Sequence, residues 1–369
     1  MFTESLLVLL SVTVFCVFLG LSIATVGIAV WKRRADRRNK RALETVQGQL
    51  FERRDRSDVD WRDWLTSLSE PEQTALKSLL QRYLRVIEGP KSDRYLEIAD
   101  TLALPQAARW KASHDDSDQL TRLRALATLT VLEQPVPTRE LWSHCMGTQR
   151  TREASARLVY ECADQYECPG VCGTELLVWD GSESMTIYGL DTLVKLNDGA
   201  GTPLLEVARK SAGSWSDAVL IQVCRVLEHI RATNPDDASF DWLIALFEHQ
   251  QPAVRAAAIR ALKQQGWRTG LRQRIDVNAL LEDDSPQVRR ATYNVLAYWG
   301  DSDAQSLLEQ AMISERETRC QLAAVRAVRS LDMDPLKNHS GWPVDAWNWV
   351  RAVETADVDT PLDERSGLS

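Results

Sequence analysis

Catalytic signatures are the first thing this 369-residue sequence lacks. Its five histidines (His114, His144, His229, His249 and His339) are scattered and form no HExxH pair, so the helical zinc-protease arrangement is excluded. No GxSxG elbow occurs and no kinase-type glycine-rich loop. "DGAGTP", from Asp198, follows no expected strand and is not succeeded by Gly-Lys-Ser, so it reads as a loop rather than a phosphate cradle. The seven cysteines include no paired CxxC knuckles, and their irregular spacing in a long chain does not describe a disulfide-stapled secreted scaffold. These absences point away from an enzyme, a cofactor or a small-molecule substrate.

Positive charge is the second shortage. The chain carries −8 overall, and Lys32–Arg41 holds seven basic residues against Asp36, a local +6 that leaves −14 on the remainder. A surface that neutralises phosphates needs the reverse balance, so nucleic acid is not an expected partner.

Charge of either sign is absent from Leu6 to Trp31, "LLVLLSVTVFCVFLGLSIATVGIAVW". Twenty-six such residues are long enough to cross a bilayer with some tilt, and helix is the form that satisfies the backbone there. Trp31 stands where an interfacial aromatic belongs, with Lys32, Arg33, Arg34, Arg37 and Arg38 immediately after it. By the positive-inside rule residues 1–5 face outward, 6–31 span the inner (cytoplasmic) membrane once, and the rest is cytoplasmic. "MFTES" lacks the positive charge that a cleaved signal peptide places ahead of its apolar segment. Gly20 and Ala24, four apart, form a small-xxx-small pair able to bring two membrane helices close.

Residues 32–57 read as a basic juxtamembrane segment and helical linker, with Leu43, Val46 and Leu50 at helical spacing. An N-terminal helical cap is expected over 58–90. Within it, Ser69 and Glu72 around Pro71 form a capping-box pattern, and Glu88–Pro90 stops the helix.

From residue 91 to 353 the rhythm is helix, short break, helix. "QPAVRAAAIRAL" (Gln251–Leu262) returns as "SPQVRRATYNVL" (Ser285–Leu296) at an offset of 34, and "CQLAAVRAV" (Cys320–Val328) follows at 32, with Gln321 at the arginine position. Second helices, "RIDVNALLEDD" and "DAQSLLEQAM", lie between the copies. "RLRALATL" (Arg122–Leu129) and "REASARLV" (Arg152–Val159) are weaker copies upstream. Self-similarity near this period marks a helical solenoid.

These units resemble HEAT repeats, including the HEAT-like repeats first associated with phycobilisome lyases. The resemblance implies an all-α fold of antiparallel helix pairs stacked into an α-solenoid. It also implies that the motif arginines bond with an acidic residue of a neighbouring repeat, making Arg255 and Arg289, with Asp283 and Asp284 as acids, a structural ladder rather than a ligand site. "WPVDAWNWVRAV" (Trp342–Val353) would close the stack by burying Trp347 and Val350. Residues 354–369 read as a disordered acidic tail.

One constellation stands apart. Cys145, Cys162, Cys168 and Cys172 lie within a short segment, and loop thiolates can hold zinc or an iron–sulfur cluster. Reduced, packed cysteines are the commoner reading in a cytoplasm. "LLVWDGSESMTIY" (Leu176–Tyr188) holds an Asp-Gly suited to a hairpin, but Ile187, Leu190, Leu193 and Val194 favour helix.

The expected function is therefore a single-pass membrane-anchored scaffold that binds other proteins at the membrane. Alternatives are a bilin-lyase-like cofactor-handling enzyme, a metal or redox protein using Cys162–Cys172, and a regulatory cap on a polytopic enzyme.

Overall fold

The computed structural model describes residues 2–54, 60–84, 90–199, 201–230, 237–265, 269–331 and 343–358. The side chains of residues 2–17, 19, 22–24, 29, 35, 54, 90–94, 237, 269 and 356–358 are not among them. Every regular element so described is a helix, and no strand occurs among the described residues. Around Asp180-Gly181 the chain makes a helix–loop–helix passage, with the helix favoured at Ile187–Val194 present and no hairpin. The chain divides into two compact units, residues 1–117 with 124–134, and residues 118–123 with 135–369.

The first unit holds α1 (Phe2–Arg54), α2 (Trp61–Ser67), α3 (Glu70–Tyr83), α4 (Pro90–Thr101) and α5 (Leu104–Ser113). Helix α1 runs unbroken from the apolar segment through the basic run. Among the described residues no helix is long and apolar enough to cross a membrane, and most side chains of the expected span 6–31, Ala24 included, lie outside the described residues. The second half of α1 is more than a linker. Val46 and Leu50 are fully buried against Leu76 and Leu80 of α3, beside Trp61, Trp64, Tyr95 and Ile98. Trp64 Nε1 donates to Gln49 Oε1 at 2.9 Å, which fixes the register of α2 on α1. At the start of α3 the Ser69 amide and hydroxyl both donate to Glu72, at 2.8 and 2.6 Å. The Ser69 hydroxyl and amide together hold the Glu72 carboxyl below its usual range.

Helix α6 (Gln119–Val131) contributes residues to both units. The second unit continues with α7 (Thr138–His144), α8 (Gln149–Glu161), α9 (Pro169–Val178), α10 (Ile187–Asn197), α11 (Pro203–Ser211), α12 (Asp217–His229) and α13 (Asp241–Ala245). It ends with α14 (Pro252–Ala261), α15 (Thr269–Arg272), α16 (Val277–Leu281), α17 (Pro286–Trp299), α18 (Ser302–Ser314), α19 (Thr318–Arg329) and α20 (Val344–Val358).

Neighbours in this unit follow chain order. Helix α8 packs on α10, α10 on α12, α12 on α14, α14 on α17 and α17 on α19; α9 packs on α11, and α16 and α18 on α17. Alanines permit the close spacing. Ala256, Ala257, Ala258, Ala291 and Ala324 are buried where a larger side chain would hold the helices apart. Pro252 and Pro286 sit in the first turns of α14 and α17, where a missing N–H leaves nothing unsatisfied. Helix α17 stops at Gly300, whose φ of 66° is the left-handed conformation that suits glycine.

The C-terminal core joins Tyr293 and Leu296, Leu308 and Met312, Cys320 and Val325, and Val350 of α20. Trp347, expected to be buried, is only half-buried and lies under the Arg329 guanidinium at 5.1 Å. The helix also continues five residues past 353, and Arg329 pairs with Glu354 at 2.6 Å, so the expected tail starts inside α20. Trp342, the helix stop at Glu88–Gly89 and tail residues 359–369 lie outside the described residues.

Candidate functional site

Two sets of arginines divide the second unit, one turned inward to the loops and one turned toward solvent.

The inward set is built on the first turns of α8, α14, α17 and α19. Arg255 donates through Nε and Nη2 to both Asp283 carboxylate oxygens at 2.8 Å, and through Nη1 to the His249 carbonyl at 2.8 Å. Arg289 repeats the arrangement. It donates through Nε and Nη2 to Glu315 at 2.8 and 3.1 Å, and through Nη1 to the Asp283 carbonyl at 2.8 Å. Gln321, where the third arginine would stand, still donates to the Glu315 carbonyl at 3.3 Å. Asp283 and Glu315 are therefore each held twice, by side chain from the preceding helix and by carbonyl from the following one. Loop is tied to loop through alternating guanidinium and carboxylate groups, and bidentate forks give each link directional strength.

Asp284 takes a smaller part than expected. It accepts from Arg289 through its backbone carbonyl at 3.3 Å, and the carboxylate facing Arg289 belongs to Glu315. Burial pushes the Glu315 carboxyl up, but hydrogen bonds from Arg289 and Tyr293, whose hydroxyl donates at 2.7 Å, bring it down to about 2.

The weak upstream copy carries the same device. Arg152 donates through Nη1 to the Met146 carbonyl at 3.1 Å, six residues back as at the other positions, and approaches Asp180 at 3.3 Å. Its neighbour Glu153 is 2% exposed and accepts from the Thr186 amide and hydroxyl at 2.7 and 2.6 Å. Gln222 clasps the same loop, exchanging bonds with the Met185 backbone at 2.8 Å in both directions. Gly181, at φ 59°, folds the loop tightly over Trp215.

The outward set lines a groove of about 460 Å³ across α14, α17 and α19, walled by Arg260, Gln287, Arg290, Asn294, Arg319 and Arg326 over Ala291 and Ala323. On α17 the lining falls at 287, 290, 291 and 294, one face of a helix. Arg260, Asn294 and Arg326 each stand five positions after a ladder residue; Gln287 and Arg319 stand two before. At 3.6 residues per turn those offsets lie roughly 140° and 160° around the helix, which sets the groove on the side away from the ladder. Arg260 touches Glu228 only at 3.7 Å. Among the described residues Arg290, Arg319 and Arg326 form no ion pair.

The four cysteines singled out in the sequence differ in burial. Cys145 and Cys162 are buried, Cys168 is exposed and Cys172 is half-buried. Burial pushes the Cys172 thiol up to about 11. No group of three or more His, Cys, Asp or Glu among the described residues could hold a metal. In the first unit Trp31 is 73% exposed, and Lys32, Arg33, Arg34, Arg37 and Arg38 are exposed beside it. Gly20 is exposed with open space where a Cβ would stand, while the Ala24 side chain is outside the described residues.

No protein-family model matches the chain, and no curated protein matches it.

Sequence reasoning missed Glu315, Arg152 as a full ladder member, and the entire outward set. The sequence signal for the last was slight: Arg260 and Arg326 share an offset of five from the repeat position, where the middle copy has Asn294, and Arg290 and Arg319 have no arginine counterparts.

Proposed function

We propose that this chain is a membrane-anchored helical scaffold whose second unit, a HEAT-like solenoid, holds another protein at the cytoplasmic face of the membrane. The observation that carries the reading is the open polar groove across α14, α17 and α19, where Arg290, Arg319 and Arg326 form no ion pair among the described residues, while Arg255 and Arg289 on the same helices are committed to the loops. A surface that spans three helices packed side by side suits an extended partner better than a compact metabolite. The anchor rests on the uncharged run 6–31, which passes within one helix into exposed Trp31 and the basic cluster. Tethering raises the effective concentration of whatever the second unit binds.

Removal of residues 2–31 should move the protein from the membrane fraction to the soluble fraction. Cross-linking of the full chain in cells should yield a partner whose recovery disappears when residues 91–353 are deleted. Membrane retention without the first segment would overturn the anchor. Equal partner recovery without the second unit would overturn the scaffold.

A further inference from the structure

The geometry points to an acidic peptide segment of the partner protein as the occupant of the arginine-lined groove, an inference that rests on the scaffold reading above and gives its partner a chemistry. Four guanidiniums converge here in a chain whose net charge is −8. Four other arginines of the second unit each face a carboxylate: Arg255 meets Asp283, Arg289 meets Glu315, Arg272 meets Asp301 and Arg329 meets Glu354. In the groove, among the described residues, three have none and the fourth has a 3.7 Å contact with Glu228. Like charges so gathered repel one another, and an incoming anion relieves that repulsion as well as adding its own bonds.

The lining selects among anions. Among the described residues no aromatic side chain lines the groove, which leaves it without a stacking platform for a base there. Among the described residues its apolar walls are the methyl groups of Ala291 and Ala323, too small to house an acyl chain. Arg319 and Arg326 are seven residues apart on α19, roughly 10 Å along the axis at 1.5 Å per residue. Carboxylates spaced along an extended peptide match that separation and can meet both, with Arg290 as a further contact. Guanidinium forks match carboxylates two bonds at a time, and Gln287 and Asn294 supply amides for the peptide backbone. Arg326 is held in place by Trp349, whose ring centre is 5.6 Å from the guanidinium carbon.

The test uses the full chain in detergent and a fluorescent peptide of repeated Glu and Ala, with a Gln-for-Glu version as control, read by anisotropy. The acidic peptide should bind with an affinity that falls as salt rises, and the Gln peptide should not bind. Charge reversal by Arg290→Glu with Arg319→Glu should weaken binding by about tenfold or more, while Arg209→Glu, exposed on α11, leaves it unchanged. Should the reversed protein fail to fold by circular dichroism, the Arg290→Gln, Arg319→Gln pair serves, with a smaller loss in the same direction. Binding indifferent to these substitutions, absence of binding, or displacement by millimolar phosphate beyond an equal ionic strength of chloride would each overturn the inference. Partner capture that still requires residues 91–353 in any of those cases leaves the scaffold standing and removes only the acidic ligand.

Discussion

Arg289 and Glu315 meet through two hydrogen bonds, at 2.8 and 3.1 Å, with Tyr293 donating a third to the same carboxylate. The Glu315 side chain is 6% exposed, so it is removed from water and stays charged only because these donors surround it. Its carboxyl drops from an ordinary 4.5 to about 2. A depressed folded-state value means stabilisation that is full above the unfolded value and lost as pH falls toward the folded one. The urea midpoint should therefore decline between about pH 4.5 and pH 2, and Glu315→Gln should flatten part of that decline while lowering stability at pH 7. An unchanged acid limb in the variant would show that other carboxylates govern it.

Truncation of one partner leaves the other buried without its counter-charge. Arg289→Ala should cost about 3 kcal/mol, read as a fall of several degrees in Tm. A loss below half a kcal/mol by chemical denaturation would place Arg289 among ordinary surface arginines.

Arg255 makes a fork with Asp283 and a carbonyl bond in the preceding loop. Lysine keeps the charge but cannot supply both, so Arg255→Lys should destabilise by about 1–2 kcal/mol. In a double-mutant cycle with Asp283→Asn the two losses should fall short of their sum, since each removes the same link. Full additivity would contradict a shared interaction.

Gly181 has no room for change. Its φ of 59° disfavours any side chain, and an added Cβ would lie 2.9 Å from the Trp215 Cα, a backbone atom that cannot swing away. Gly181→Ala should destabilise by roughly 1–3 kcal/mol and speed proteolysis in the loop between α9 and α10. A protein as stable as the parent in thermal melts would mean that the loop adopts another course.

Thiol labelling should rank the described cysteines by access. Cys168 is exposed and should react first with a maleimide at neutral pH. Cys172 should lag because burial holds its thiol near 11, and Cys224, pushed by burial up to about 12, should react only after unfolding. Cys224 labelling as fast as Cys168 in folded protein, read by mass spectrometry of peptides, would contradict this packing.

Much of the architecture is written in short-range patterns. Ser69 with Glu72, Pro252 and Pro286 in first turns, and the 34-residue recurrence of Val-Arg all mark helices whose existence depends on local geometry. The position of the ladder arginine was legible for the same reason, since it is set by its distance from a helix start. Its acid was legible only where Asp283 happens to lie in an acidic run; Glu315 sits in "ISERET", where nothing marks one carboxylate over the next. The stalk shows a similar limit. Leu43, Val46 and Leu50 reveal a face, but not that α3 covers it.

The sequence by itself determined where helices begin, which faces are apolar, where the uncharged run meets basic residues, and which position in each repeat carries an arginine. Those follow from helical periodicity and chain-local hydrogen bonding, which act over a few residues. Tertiary structure decided which guanidiniums meet a carboxylate: Arg289 turns to Glu315, while adjacent Arg290 bonds the Pro286 carbonyl and opens on a groove with no carboxylate partner among the described residues. Two neighbouring arginines on one helix point about 100° apart, and their different fates depend on which residues of other repeats packing brings within reach.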